Sequence, residues 1–80
     1  MEFGILLVSE VFGVEVFKYS SEQERDAGAV SICRGIEEAE DDIDRDIAFV
    51  TDGDIRHIGT WDGEEWEALD LPEVSAPAAA

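Results

Sequence analysis

The chain has 80 residues, 45% of them hydrophobic, and a net charge of -16 from 21 acids and five bases. That length makes one small domain, and that charge excludes direct binding to nucleic acid or anionic lipid, which would repel it. The single cysteine, Cys33, excludes an internal disulfide and a cysteine-built zinc site. No apolar run approaches the ~20 residues that span a bilayer. The first charge is Glu2 rather than a basic cluster, so no secretory leader is expected. These features lead to the expectation of a soluble cytoplasmic protein without a cofactor.

Residues 3–19 (FGILLVSEVFGVEVFKY) are rich in branched and aromatic side chains that alternate with period two. Such alternation predicts strands over 2–9 and 11–19, joined by a tight hairpin near Ser9-Glu10. The turn chemistry there is poor, which leaves one long bent strand as the other reading. At Ser21 the pattern changes. Ser21-Glu22-Gln23-Glu24 is a capping box, in which Ser21 accepts from the amide of Glu24 and Glu24 reaches back. Ala29, Ile32, Cys33, Ile36 and Ala39 then recur at helical spacing. Gly28 and Gly35 lie seven apart, hence on one face, and close approach of the helix to a sheet explains both. The helix is expected to end between Ala39 and Asp44.

Beyond it, Ile47–Thr51 reads as a short apolar strand, and Asp52-Gly53 is a strong hairpin signal. Asp54–Trp61 forms the return strand, Asp62-Gly63 a second turn, and Glu64–Leu71 a last strand. The expected fold is α+β: an antiparallel sheet of four to five strands with one helix packed on one face, in the order ββαβββ. One domain covers residues 1–71, and the proline-punctuated residues 72–80 are expected to be a disordered tail. A single helix leaves the other sheet face less protected. Phe17, Tyr19, Trp61 and Trp66 either cover that face or leave an apolar patch through which the chain can dimerise.

Little in the chain points to catalysis. No nucleophile-elbow or phosphate-binding glycine motif is present, and His57 is the only histidine. Alternation places His57 on the side of Ile55 and Trp61, as a structural residue with its hydrogen bonds met. Cys33 falls on the apolar helix stripe, as a small core residue. No enzyme is expected. Asp42, Asp44 and Asp46 have the spacing that opens a calcium loop. The position that needs glycine holds Ile47, and the position that needs a bidentate glutamate holds Gly53, so no metal site is expected.

The charge itself remains. Glu37 to Asp46 reads EEAEDDIDRD, and Glu64, Glu65, Glu67 and Asp70 form a second acidic group. A helix rises about 1.5 Å per residue, close to the ~1.7 Å per charge of duplex DNA. Carboxylates along the helix edge and its exit therefore resemble nucleic acid in linear charge density. This positions Glu37, Glu38, Glu40, Asp41, Asp42, Asp44, Asp46, Glu64, Glu65 and Glu67 as candidates for binding a partner. In size, charge and these two acidic runs the chain resembles small phage-encoded inhibitors of the DNA-mimic anti-CRISPR kind. The resemblance implies a non-catalytic decoy whose partner is a basic nucleic-acid-binding protein or complex, such as a CRISPR-Cas surveillance complex. The alternative is a small cytosolic regulatory or housekeeping module whose acidity reflects a halophilic host.

Overall fold

The computed structural model describes residues 2–40 and 42–71. Asp41 and the expected tail at residues 72–80 lie outside the described residues. The elements follow in the order β1 (Phe3–Ser9), β2 (Gly13–Tyr19), α1 (Glu22–Ala39), β3 (Arg45–Thr51), β4 (Asp54–Trp61) and β5 (Trp66–Glu67). The strands form one antiparallel sheet in the spatial order β2-β1-β3-β4-β5, and α1 packs on one face of it. The α+β architecture and the ββαβββ order expected from the sequence are those observed.

The first hairpin solves its turn with residues that looked unsuited to it. Ser9 pairs with Gly13, so three residues make the loop, and β2 starts at Gly13 rather than at residue 11. Gly13 has φ +75°, the left-handed conformation that closes a three-residue hairpin. The Ser9 hydroxyl oxygen accepts from the Phe12 amide at 2.8 Å. The helix opens on Ser21, whose side chain accepts from the Glu24 amide at 3.1 Å. The Glu24 carboxylate reaches back one residue further than a capping box requires, to the Ser20 hydroxyl at 2.6 Å.

The core lies between α1 and the sheet. Ile5, Ile47 and Ile58 are fully buried, with Ala29, Cys33 and Ile36 of the helix and Phe49 and Trp61 of the sheet around them. A buried charge anchors the start of the helix to β3. Arg25 is 8% exposed and stacks 4.0 Å from the Phe49 ring centroid. Its guanidinium donates to Thr51 Oγ1 at 3.0 Å and to Asp26 at 2.9 Å. A buried cation needs such partners, and the aromatic face supplies attraction where water is absent.

Three expectations are corrected here. The last strand does not run over Glu64–Leu71: only Trp66–Glu67 pairs with β4. Ala68 then takes φ +54°, and the chain runs on beside β4 in the same antiparallel sense, displaced toward the helix side. The Asp70 amide donates to the Ile58 carbonyl at 2.8 Å, and Leu69 and Leu71 pack against the core. Gly59 makes this possible, since a Cβ there would lie 3.1 Å from the Leu69 Cα.

The second correction concerns side-chain direction in β4. Ile47 pairs with Gly59 and Ala48 with His57, so Ile58 is the extra residue of a β-bulge. The bulge turns Trp61 onto the helix side, where it is 4% exposed, while Ile55 stays on the other face at 65%. His57 therefore shares a face with Ile55 but not with Trp61. Phe17, Tyr19 and Trp66 also pack against the helix-side core, so none of the four aromatics covers the open face.

Third, the two helix glycines differ. A Cβ at Gly28 would meet the Tyr19 ring, with Cζ 2.6 Å away, whereas nothing lies within 4 Å of one at Gly35. Close approach explains Gly28 alone. Gly35→Ala is expected to raise stability by about 0.5–1 kcal/mol through helix propensity. Gly59→Ala is expected to lower it, because the new methyl meets the Leu69 backbone. Chemical denaturation midpoints of the two variants against the parent check both signs.

Candidate functional site

Helix α1 runs toward the sheet end formed by Ser9, Gly13, Arg45 and Trp61, and the acidic run leaves the helix there. Glu37 and Glu38 are exposed on its last turn, which contains no base. Glu40 caps the helix with φ +54° and ψ +27°, a left-handed conformation that glycine usually occupies. Acids at a helix C-terminus oppose the helix dipole. Three unfavourable choices therefore coincide in one short stretch: acidic charge, a last turn without a base, and a side chain in a glycine position. Asp42 and Asp44 follow as exposed residues of the connection to β3.

The second acidic group meets the first at this end. Asp62 organises the turn after β4: its Oδ1 accepts from the Glu64 amide at 2.8 Å and the Glu65 amide at 2.9 Å. Gly63, with φ +100°, sits against the backbone of Asp42, so that a Cβ there would lie 3.1 Å from the Asp42 carbonyl oxygen. Glu64 and Glu65 are exposed beside it, and Glu67 is exposed one strand position along. The structure thus brings Glu37, Glu38, Glu40, Asp42, Asp44, Glu64 and Glu65 to one end of the molecule. Among the described residues, none of the seven forms a salt bridge with a base. Asp41, the remaining member of the run, lies outside the described residues.

Asp46 stands apart from them. It lies in β3 on the face away from the helix and is engaged by neighbours. Thr60 Oγ1 donates to Asp46 Oδ1 at 2.6 Å, and His57 Nε2 lies 3.2 Å from the same oxygen. His57 Nε2 is also 3.2 Å from Thr60 Oγ1. In a nucleophile–base–carboxylate relay the hydroxyl and the carboxylate approach opposite ring nitrogens. Here both approach Nε2, and the hydroxyl gives its proton to the carboxylate.

The potential calcium spacing is likewise pulled apart. Asp42 and Asp44 belong to the connection, Asp46 to a strand, and Ile47 is fully buried within that strand. Among the described residues no group of three or more potential ligands converges. Cys33 is 3% exposed, and burial, with a smaller contribution from Glu37, pushes its thiol up to about 11. The thiol therefore stays protonated at neutral pH. No described helix is long and apolar enough to cross a membrane.

Acids also occupy the opposite end of the molecule. Glu22 and Glu24 begin the helix there, and Asp52 and Asp54 flank the β3–β4 turn. Sequence spacing indicated the clustering of Glu37–Asp46 but not its junction with Glu64 and Glu65. That junction depends on how two turns pack, and the only local signal for it is the glycine at position 63.

Two expectations follow from the acidic end. Glu40→Gly should stabilise the fold by about 1 kcal/mol, since it removes both the left-handed strain and an acid from the helix terminus. Thermal midpoint should rise as salt increases from low to moderate concentration, and the rise should be smaller in this variant. The Asp62 carboxyl titrates below its ordinary value of 3.8 because the Glu65 and Glu64 amides donate to its ionised form. A depressed carboxyl contributes stability above its unfolded value and loses it as pH falls through the folded one. Hydrogen exchange at the Glu64 and Glu65 amides is thus expected to keep its protection down to pH 3.8 and lose it only as pH falls through the lowered titration point beneath that, and Asp62→Ala should lack that protection already at neutral pH.

Comparison with protein-family models, with curated proteins and with solved structures finds no match.

Proposed function

We propose that the protein is a non-catalytic acidic decoy that mimics nucleic acid and blocks a basic DNA-binding surface. The observation that supports this most is the junction of two acidic runs at one end, where none of the seven described acids forms a salt bridge among the described residues. Charge placed this way costs the fold stability, and a partner that supplies the missing bases would recover it. The chain has five bases, and the fold withdraws two of them, Arg25 and Arg45, into its interior. Lys18, Arg34 and Arg56 are the exposed bases among the described residues.

A basic cleft that normally holds DNA would engage Glu37, Glu38, Glu40, Asp42, Asp44, Glu64 and Glu65 by the counterion release that drives DNA binding. Asp41 belongs to the same run by sequence, Glu67 lies at its margin, and Asp46 stands apart on the open sheet face, bonded to Thr60 and His57. The resemblance to anti-CRISPR decoys makes a CRISPR-Cas surveillance complex one such target, met in the cytoplasm of the host. Blocking target-DNA access requires no chemistry from the chain.

A second reading rests on the acids at the opposite end. Glu22, Glu24, Asp52 and Asp54 lie far from the junction, as expected of a halophilic housekeeping module acidic over its whole surface. The two readings differ in how binding responds to local charge reversal. If the decoy reading holds, immobilised protein captures a DNA-binding complex from its host at low salt and releases it at high salt. Replacing Glu37, Glu38, Glu64 and Glu65 by lysine should lower the affinity by at least tenfold. Capture that survives this fourfold reversal unchanged would rule the reading out.

A further inference from the structure

The sheet face opposite α1 has the reverse character of the molecule's ends. Strand register arranges it as four strands by three positions, roughly 14 Å on each side by the usual strand spacing and rise. Six aliphatic side chains dominate it: Leu6 and Val8 of β1, Val14 and Val16 of β2, Val50 of β3 and Ile55 of β4. Val14, Val16 and Ile55 remain 63%, 56% and 65% exposed. At one edge Gly4 leaves a groove of about 240 Å³ between Val16, Lys18 and Val50, which Glu2 and Asp52 also line. In a chain with 21 acids, the facing strand positions include one, Asp46, already bonded to Thr60 and His57. The only lysine, Lys18, occupies the diagonally opposite corner.

We propose that this open face is an interface in which a second copy of the same chain packs sheet against sheet. Area and charge both point to that occupant. The six aliphatic side chains expose on the order of 400–500 Å², a patch of the size that marks interaction sites. Two such faces with their rims bury about 1,000 Å², the lower limit for a specific association. A nucleic-acid-binding partner would find almost no acid here to pair with its bases. A second copy, by contrast, meets a face whose strand positions hold one acid, Asp46, already bonded to Thr60 and His57, with Glu2 and Asp52 at one edge. The face is nearly square, so a two-fold axis lying in the interface, across the line from Lys18 to Thr60, exchanges the two corners. Lys18 of each copy then lies over the Asp46 corner of the other, and aliphatic side chains meet between them. Such an axis crosses the two sheets near a right angle, one of the two common sheet packings.

This pairing is independent of the decoy reading, and salt separates them. Each copy carries a charge of -16, so added salt screens the repulsion between copies and tightens an apolar association. The same salt weakens binding to a basic target. Sedimentation equilibrium of the full chain is the test, from about 10 μM to 1 mM, the range in which so small an interface associates. The expected result is a monomer–dimer equilibrium that tightens several-fold between 0.05 and 0.5 M salt, by screening.

Val16→Lys and Ile55→Lys should each weaken dimerisation at least tenfold. Both lower the net negative charge, so general repulsion cannot account for the loss. Glu15→Lys lies on the same edge strand but faces the helix side, and it should leave dimerisation intact. Circular dichroism and thermal midpoints confirm that each variant is folded. A monomer throughout at 0.5 M salt overturns the proposal. So does a dimer that resists both face variants, a dimer lost equally in Glu15→Lys, or an association that salt weakens.

Discussion

One helix must cover a five-stranded sheet, and the rest of the structure follows from that shortage. A helix laid on a sheet shields one face, so every large aromatic able to reach that face is drawn there. Trp61 reaches it through the bulge at Ile58, Trp66 through its pairing with Trp61 in β5, and Leu69 and Leu71 through the displacement of the chain after Ala68. The segment after Ala68 uses Gly59 to approach β4 closely. The other face keeps its small aliphatic residues and no cover among the described residues.

Charge is arranged around the same division. Acids cannot enter the single core, and they are sparse on the open face. They therefore gather at the helix termini and turns, at the two ends of the strands. The end that receives the helix C-terminus carries the greater strain, because its dipole and the left-handed Glu40 add to mutual repulsion. Arg25 shows how a cation is retained inside so acidic a chain, through a neighbouring carboxylate, a hydroxyl and an aromatic face. Two surfaces of opposite character result, one governed by unpaired charge and the other by apolar area. Their responses to ionic strength have opposite signs, so the two can be examined separately in one molecule.

Much of this was legible in residue order. Period-two alternation in residues 3–19, the Ser21 capping sequence and the Asp52-Gly53 turn correspond to β1, β2, the start of α1 and the β3–β4 hairpin. What misled was the assumption that alternation persists. One inserted residue at Ile58 reversed the facing of Trp61, and one left-handed residue at Ala68 ended β5 after two residues. Neither leaves a clear mark in composition, since such strand irregularities are stabilised by what packs against them. Likewise Gly28 and Gly35 are equivalent by helical spacing, and only the Tyr19 ring tells them apart.

The sequence by itself determined the fold class, the element order, the charge and the crowding of acids at the helix exit. These depend on local propensity and on counting, which neighbouring residues settle among themselves. Tertiary structure alone decided that the turn at Gly63 meets Asp42, which joins two acidic runs separated in the chain. It also decided which sheet face stays bare, because that depends on where the aromatics find cover. Both are outcomes of packing between distant segments, and spacing within one segment carries no information about them.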